Sequence, residues 1–219
     1  MNDTSGRERL LKLGATTVPV LAKGDQYVFC QNLEDVAEFV GLQGSGHTPL
    51  PPAALMMKWI TVLRAAQRCI RQISNERLAE RAIDNRDRSI RLLSHHIFRI
   101  GEAFLEIAVD GVEYSARLAN IPPQEGTFAT GDEIAGYGGS IIERLESWWT
   151  KLEEKSCRQK VRTFYGTPPM HQVFERSTWH SAQHTRQLIA VIERFGLEPD
   201  GRLTVEDLAG LPLPQGLWE

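Results

Sequence analysis

The stretch WHSAQHTRQL, residues 179–188, places two histidines four positions apart within a sequence of helical periodicity. An α-helix completes a turn every 3.6 residues, so the side chains of His180 and His184 lie on one face and can share a metal ion. Apolar residues within 188–192 continue nearly the same face, which predicts that both imidazoles turn toward a core. A buried imidazole is costly unless it is hydrogen-bonded or ligates a metal, so this stretch indicates a metal-binding helix.

A second histidine pair, His95-His96, lies upstream in another stretch of helical periodicity. The core stripe of that stretch consists of Leu93, Ile97, Ile100 and Phe104. His96 lies at the inner edge of the stripe and is the predicted third ligand, whereas His95 is its neighbour or an outer partner; the choice stays open by one residue. Three imidazoles from two helices would form an open site like that of catalytic zinc centres, with one position left for water or substrate. The alternative is a fortuitous spacing, with the histidines exposed or hydrogen-bonded in the core.

Four long stretches carry apolar residues at helical spacing and together predict a mainly α four-helix bundle. These stretches are 53–73, 87–107, 132–154 and 170–195. Before them, residues 1–42 predict a short helix, a β-hairpin and a second helix, followed by a linker rich in Gly and Pro at 43–52. The bundle domain is thus predicted at 53–196. Residues 197–219 are predicted to be an extended tail, because its prolines oppose a helix.

Composition restricts the class of protein. The 219 residues carry a formal net charge of −3, and the 25 Lys and Arg are spread along the chain, so nucleic acid is not an expected partner. No apolar run approaches the roughly 20 residues that span a bilayer, and the first residues lack the apolar segment of a signal peptide. We therefore expect a cytoplasmic protein that has no membrane partner. The three cysteines are far apart and form no Cys-x-x-Cys pair, so any metal site rests on histidine.

The helix layout, with LSHHI at residues 93–97 and WHSAQHTRQL at 179–188, resembles the DinB-like (YfiT-like) metalloprotein superfamily over about residues 52–196. The resemblance implies a DinB-like four-helix bundle in which one histidine of the second helix and two of the fourth bind a divalent metal, commonly zinc or nickel. Carried over to this chain, those ligands are His96, His180 and His184. Many members are thiol-dependent transferases or isomerases that use bacillithiol, mycothiol or glutathione. In them the metal activates the cofactor thiolate, which agrees with the general rule that a metal-bound thiol is deprotonated.

The N-terminal segment resembles the second half of glutaredoxin. TVP at residues 17–19 and GDQYVFCQNL at 24–33 match its T-V-P strand and its G-x-x-x-x-x-C-D-D-L run, with Gln-Asn where two aspartates are common. The resemblance implies a cis proline. It also implies glutathione contacts from Val18, Pro19, Gln31 and Asn32. The half of glutaredoxin that carries the catalytic C-x-x-C motif has no counterpart here, so we expect glutathione binding without dithiol exchange. The alternative is an ordinary hairpin packed on the bundle.

Two arginines are candidates for a catalytic clamp on a substrate carboxylate, because a guanidinium can donate two parallel hydrogen bonds. Arg99 lies near the His96 face of its helix, and Arg186 lies near the turn of His184. A solvated arginine without a role in the reaction is the alternative for each.

The expected function is therefore that of a glutathione-using transferase or isomerase. In it, a metal-activated thiolate attacks a small electrophilic substrate whose identity the sequence does not give. One alternative is a hydrolase that uses metal-bound water, and another is a non-catalytic metal-binding stress protein. Bundles of this type often dimerise through their helix faces, so a homodimer is compatible with the sequence.

Overall fold

The computed structural model of the chain describes residues 4–15, 17–44, 46–83 and 87–218. The chain divides into two compact units, Met1–Thr48 and Pro49–Glu219. This division falls inside the predicted linker at 43–52. The parts of the predicted ranges that lie outside the described residues are 1–3 and 16 in the N-terminal unit, 45 in the linker, 84–86 in the bundle and 219 in the tail.

The N-terminal unit has the predicted order of helix, β-hairpin and helix. Its elements are α1 (Thr4–Lys12), β1 (Val20–Lys23), β2 (Gln26–Phe29) and α2 (Leu33–Val40). The two strands pair antiparallel, in the register that places Val20 opposite Phe29. Gly24, at φ 61°, begins the two-residue turn between them, where a positive φ suits the twist of a hairpin. Asn32 caps α2, because its Oδ1 accepts a hydrogen bond from the backbone N–H of Glu34 at 3.1 Å.

Four long helices make up about half of the C-terminal unit. They are α3 (Pro52–Arg71), α4 (Ile90–Ala108), α5 (Gly131–Lys151) and α6 (Met170–Arg194), and the short helix α7 (Val205–Leu208) follows them. Helices α3 and α4 each pack against both α5 and α6, so the four surround one core. The described part of the chain is thus mainly helical with one small antiparallel sheet. None of the helices in that part combines the length and the apolar character needed to cross a membrane.

Capping side chains explain two boundaries that differ from the predicted ones. Helix α4 begins at Ile90 rather than at 87, because the side chain of Ser89 accepts a hydrogen bond from the Leu92 N–H at 3.2 Å and so caps the helix. The tail predicted as extended contains α7, where Thr204 and Asp207 form a reciprocal capping box. The Thr-x-x-Asp spacing of that box is visible in the sequence.

A hydrogen-bonded chain in the core fixes the helices that carry the histidines. Trp59 of α3 donates from Nε1 to the Ser181 hydroxyl at 2.9 Å, and that hydroxyl donates to the Ile97 carbonyl of α4 at 3.2 Å. Phe104 and Phe174 pack against the same indole, with ring centroids 5.3 and 5.7 Å from it. Because all of these side chains are buried, α3, α4 and α6 are held in register where the histidines lie.

Candidate metal centre

Three histidines converge between α4 and α6. His96 of α4 and His180 and His184 of α6 each offer one ligand nitrogen, and these nitrogens all lie within 4.8 Å of one another. The ring centroid of His96 lies 5.2 Å from that of His180 and 4.8 Å from that of His184. The structure therefore brings together the three residues that the sequence selected as ligands, close enough to bind one metal ion.

The spacing of the nitrogens on α6 suits a tetrahedral ion. The Nε2 atoms of His180 and His184 face each other at 3.1 Å. Zinc–nitrogen bonds of 2.0–2.1 Å in tetrahedral geometry place neighbouring ligand nitrogens about 3.3 Å apart. The pair can hence accommodate zinc with a small adjustment of the rings.

The structure also decides between the two adjacent histidines of α4. The imidazole of His95 turns away from the cluster and stacks on Tyr137, with centroids 5.3 Å apart and an angle of 12° between the planes. Phe128 lies against the same imidazole at 5.5 Å. His96 is therefore the ligand candidate of α4, and His95 belongs to an aromatic cluster beside it.

Burial keeps the imidazoles of His96 and His180 neutral. Loss of solvation is the largest cause that holds the pKa of His96 and that of His180 well below the usual value, and the nearby His184 is the second. The guanidinium groups of Arg88 and Arg176 act in the same direction, Arg88 on both rings and Arg176 on His180. A neutral imidazole has a free lone pair, so at pH 7 these rings are ready to bind a metal. The spacing Arg176 to His180, one helical turn, was visible in the sequence, but neither arginine was selected there.

The second nitrogens of the rings differ in their partners. Nδ1 of His184 lies 2.7 Å from Oε1 of Gln187, and a ring nitrogen of His96 is hydrogen-bonded to the backbone carbonyl of Ala119. Metal-binding histidines typically donate their other N–H to such an acceptor, which orients the ring. Nδ1 of His180 is buried and has no hydrogen-bond partner among the described residues. Sequence reasoning missed Gln187, although its place three residues after His184 on the helix was a usable signal.

The guanidinium of Arg99 is held by carboxylates of its own helix. Its Nη1 donates to Glu102 at 2.7 Å and to Glu106 at 2.6 Å, and Nη2 donates to the other oxygen of Glu106 at 3.0 Å. Its Nε donates to the carbonyl of Leu118 at 3.0 Å. A substrate carboxylate would have to displace one of these partners, so the clamp stays a prediction and the observed role of Arg99 is structural.

Arg186 contacts the segment that follows α7. Its Nη1 donates to Oε1 of Gln183 at 2.6 Å and to the backbone carbonyl of Pro214 at 3.1 Å. The side chain is partly exposed, and its use as a substrate clamp likewise stays a prediction.

The candidate glutathione contacts lie in the N-terminal unit. The Val18–Pro19 peptide bond is cis, as the resemblance to glutaredoxin implies, and both side chains are exposed. The Cys30 N–H donates to the Pro19 carbonyl at 3.0 Å. The cis peptide bond therefore lies close to Cys30, the residue that precedes Gln31. Asn32 is partly buried and uses both of its side-chain polar atoms at the start of α2.

No protein-family model, no curated protein and no solved structure matches this chain. Any function therefore has to be inferred from its residues and their geometry.

Proposed function

We propose that this chain is a DinB-like metalloenzyme that uses glutathione, as a transferase or an isomerase, on a small electrophilic substrate. The observation that carries the proposal is the convergence of His96, His180 and His184 from two different helices. One histidine from the second long helix and two from the fourth is the ligand pattern that the resemblance implies.

The residues of the centre fit a divalent ion such as zinc or nickel. Three imidazoles provide the donors, while Gln187 and the Ala119 carbonyl orient two of the rings. An ion bound there would hold a coordinated thiol in its deprotonated, nucleophilic form at neutral pH. The surrounding side chains keep water away from most of the site, because His96 and His184 are buried.

The cysteines of the chain support an external thiol as the nucleophile. Burial raises the pKa of Cys69 and of Cys157 to about 11, and it also raises the pKa of the exposed Cys30. A cysteine needs a lowered pKa to act as a nucleophile near neutral pH. A thiol cofactor would supply what these side chains lack, and the proposed contacts for it are Val18, Pro19, Gln31 and Asn32.

The reaction proposed is attack of the cofactor sulfur on an electrophilic carbon. In transfer, a new sulfur–carbon bond forms and a leaving group departs with the bonding electrons. In isomerisation, the same sulfur–carbon bond forms, the adduct rotates, and the bond breaks again to return the thiolate. Both outcomes make the same demand on the chain, which is a bound, deprotonated thiol.

Calorimetric titration of glutathione into zinc-loaded protein tests the proposal. We expect binding by the wild-type protein and its loss in the His180→Ala/His184→Ala variant, because the variant lacks two of the three ligands. A His95→Ala variant is the matched control. Because His95 belongs to the aromatic cluster, its substitution should leave glutathione binding intact.

Two results would contradict the proposal. Equal binding in the His180→Ala/His184→Ala variant would place glutathione on the N-terminal unit alone. No binding at millimolar glutathione would exclude glutathione as the cofactor. Turnover that does not depend on thiol would then favour a hydrolase.

A further inference from the structure

One turn of α6 holds the segment 211–218, which we name the strap. Gln183 donates from Nε2 to the carbonyls of Gly216 at 3.3 Å and Leu217 at 2.8 Å. Arg186 donates to the carbonyl of Pro214, and Gln187 donates from Nε2 to the carbonyl of Leu217 at 2.8 Å. Three side chains of one helical turn therefore bind backbone carbonyls of the strap.

Gln187 connects the strap to the metal centre. Its amide nitrogen is bonded to the Leu217 carbonyl, and its amide oxygen lies 2.7 Å from Nδ1 of His184. A backbone carbonyl only accepts hydrogen bonds, so the NH₂ group of the amide must face Leu217. The oxygen of the amide then necessarily faces His184, and it too only accepts. Nδ1 of His184 must therefore carry the ring proton.

The position of that proton decides which nitrogen can bind a metal. With Nδ1 protonated, the lone pair of His184 lies on Nε2, the atom that faces Nε2 of His180 at 3.1 Å. The ring of His180 has no such constraint, since its Nδ1 has no hydrogen-bond partner in the described part of the chain. Of the two ligands on α6, His184 is the one whose tautomer and ring orientation are set in advance.

We propose that the strap positions the metal ligand His184, with Gln187 as the positioning residue and the Leu217 carbonyl as its anchor. This inference rests on the metal centre of the proposed function. It adds a role for a segment that lies outside the bundle. The strap sets the tautomer of one ligand through a single amide, and metal affinity depends on that amide being held.

Three variants distinguish the effect of the two Gln187 hydrogen bonds on His184 from an effect of strap packing. Gln187→Met keeps the length of the side chain and removes both hydrogen bonds. Gln187→Glu keeps an acceptor for His184 and loses the donor for Leu217. Gln183→Met is the matched control, because it removes two hydrogen bonds to the same strap without touching His184.

The tautomer of His184 is measured by long-range ¹H–¹⁵N correlation in metal-free protein, and zinc affinity is measured by competition with a chelator. We expect the Nδ1–H form in the wild-type protein and in Gln183→Met, and a mixture of tautomers in Gln187→Met. Zinc affinity should fall about tenfold to a hundredfold in Gln187→Met, since an outer partner of a metal ligand typically contributes that much. Gln187→Glu should restore the Nδ1–H form, because both oxygens of a carboxylate are acceptors and the Leu217 carbonyl is no longer needed to orient the group.

Two results would overturn the inference. A His184 tautomer in Gln187→Met that equals that of the wild-type protein would show that the amide does not set it. An equal loss of zinc affinity in Gln183→Met and Gln187→Met would assign the effect to packing of the strap. Because the tautomer is read without metal, a wild-type protein that shows the Nδ1–H form but binds neither zinc nor nickel would contradict the metal centre of the proposed function, while the control of the His184 tautomer by Gln187 would still stand.

Discussion

His95 and His96 are adjacent in sequence, yet their imidazoles lie in different surroundings. The ring of His96 lies 4.8 Å from that of His184, and the ring of His95 stacks on Tyr137 at 5.3 Å. Successive residues of an α-helix point about 100° apart, so one of two adjacent side chains can reach a neighbouring helix while the other does not.

This difference predicts opposite results for two alanine variants. His96→Ala should lower zinc affinity by at least about a hundredfold, more than the loss of an outer partner, because it removes a ligand itself. His95→Ala should bind zinc with the affinity of the wild-type protein. Titration with zinc in competition with a chelator measures both, and a greater loss in His95→Ala would reverse the assignment of the ligand.

The two buried cysteines should resist alkylation. The pKa of Cys69 and that of Cys157 are raised to about 11, so at pH 8 only about one side chain in a thousand is a thiolate. The thiolate fraction grows as the pH rises toward 11. We expect iodoacetamide at pH 8 to modify the exposed Cys30 first, as followed by peptide mass spectrometry. Unfolding in urea should make all three reactive, which is the control for the reagent. Rapid modification of native Cys69 or Cys157 would contradict their burial.

Two glycines of α5 should respond oppositely to alanine. A Cβ atom at Gly138 would lie 2.5 Å from ring atoms of Phe98, and a Cβ atom at Gly136 would meet no atom within 4 Å. Gly138→Ala should lower the free energy of unfolding by about 1–3 kcal/mol through overpacking. Gly136→Ala should raise it by up to about 1 kcal/mol, because alanine favours the helix. Urea denaturation measures both; a Gly138→Ala protein as stable as the wild type would show that α4 and α5 do not approach as described.

Arg99 should matter for stability more than a neighbouring exposed arginine. Its side chain is 7% exposed and lies 2.6 Å from Glu106, whereas Arg144 is 49% exposed and lies 3.3 Å from Glu102. Arg99→Met removes the guanidinium from Glu106 and from Glu102, of which Glu102 keeps Tyr137 and Arg144. It should lower the free energy of unfolding by about 1–3 kcal/mol. Arg144→Met should change it by less than about 1 kcal/mol, as is usual for an exposed pair. Chemical denaturation at pH 7 compares the two, and equal effects would argue against a buried network around Arg99.

Local periodicity predicts much of this protein, and long-range contacts account for what it misses. His96, His180 and His184 could be selected because helical spacing alone assigns a side chain to a face. The acceptor for Gln187 lies 30 residues away at Leu217, and no local pattern connects them. Arg99 is a different case, because the carboxylates that bind it are three and seven residues away on the same helix face and were readable from the sequence.

The imidazoles of His96, His180 and His184 would bind a metal as neutral ligands, without a negative charge. A divalent ion held by three imidazoles keeps its full charge of +2, unlike one held by thiolates or carboxylates. The guanidinium groups of Arg88 and Arg176 add positive potential close to His180. In a buried setting, opposite charges attract far more strongly than they do in water. If the proposed ion binds there, its remaining coordination position would favour an anion over a neutral molecule of the same size.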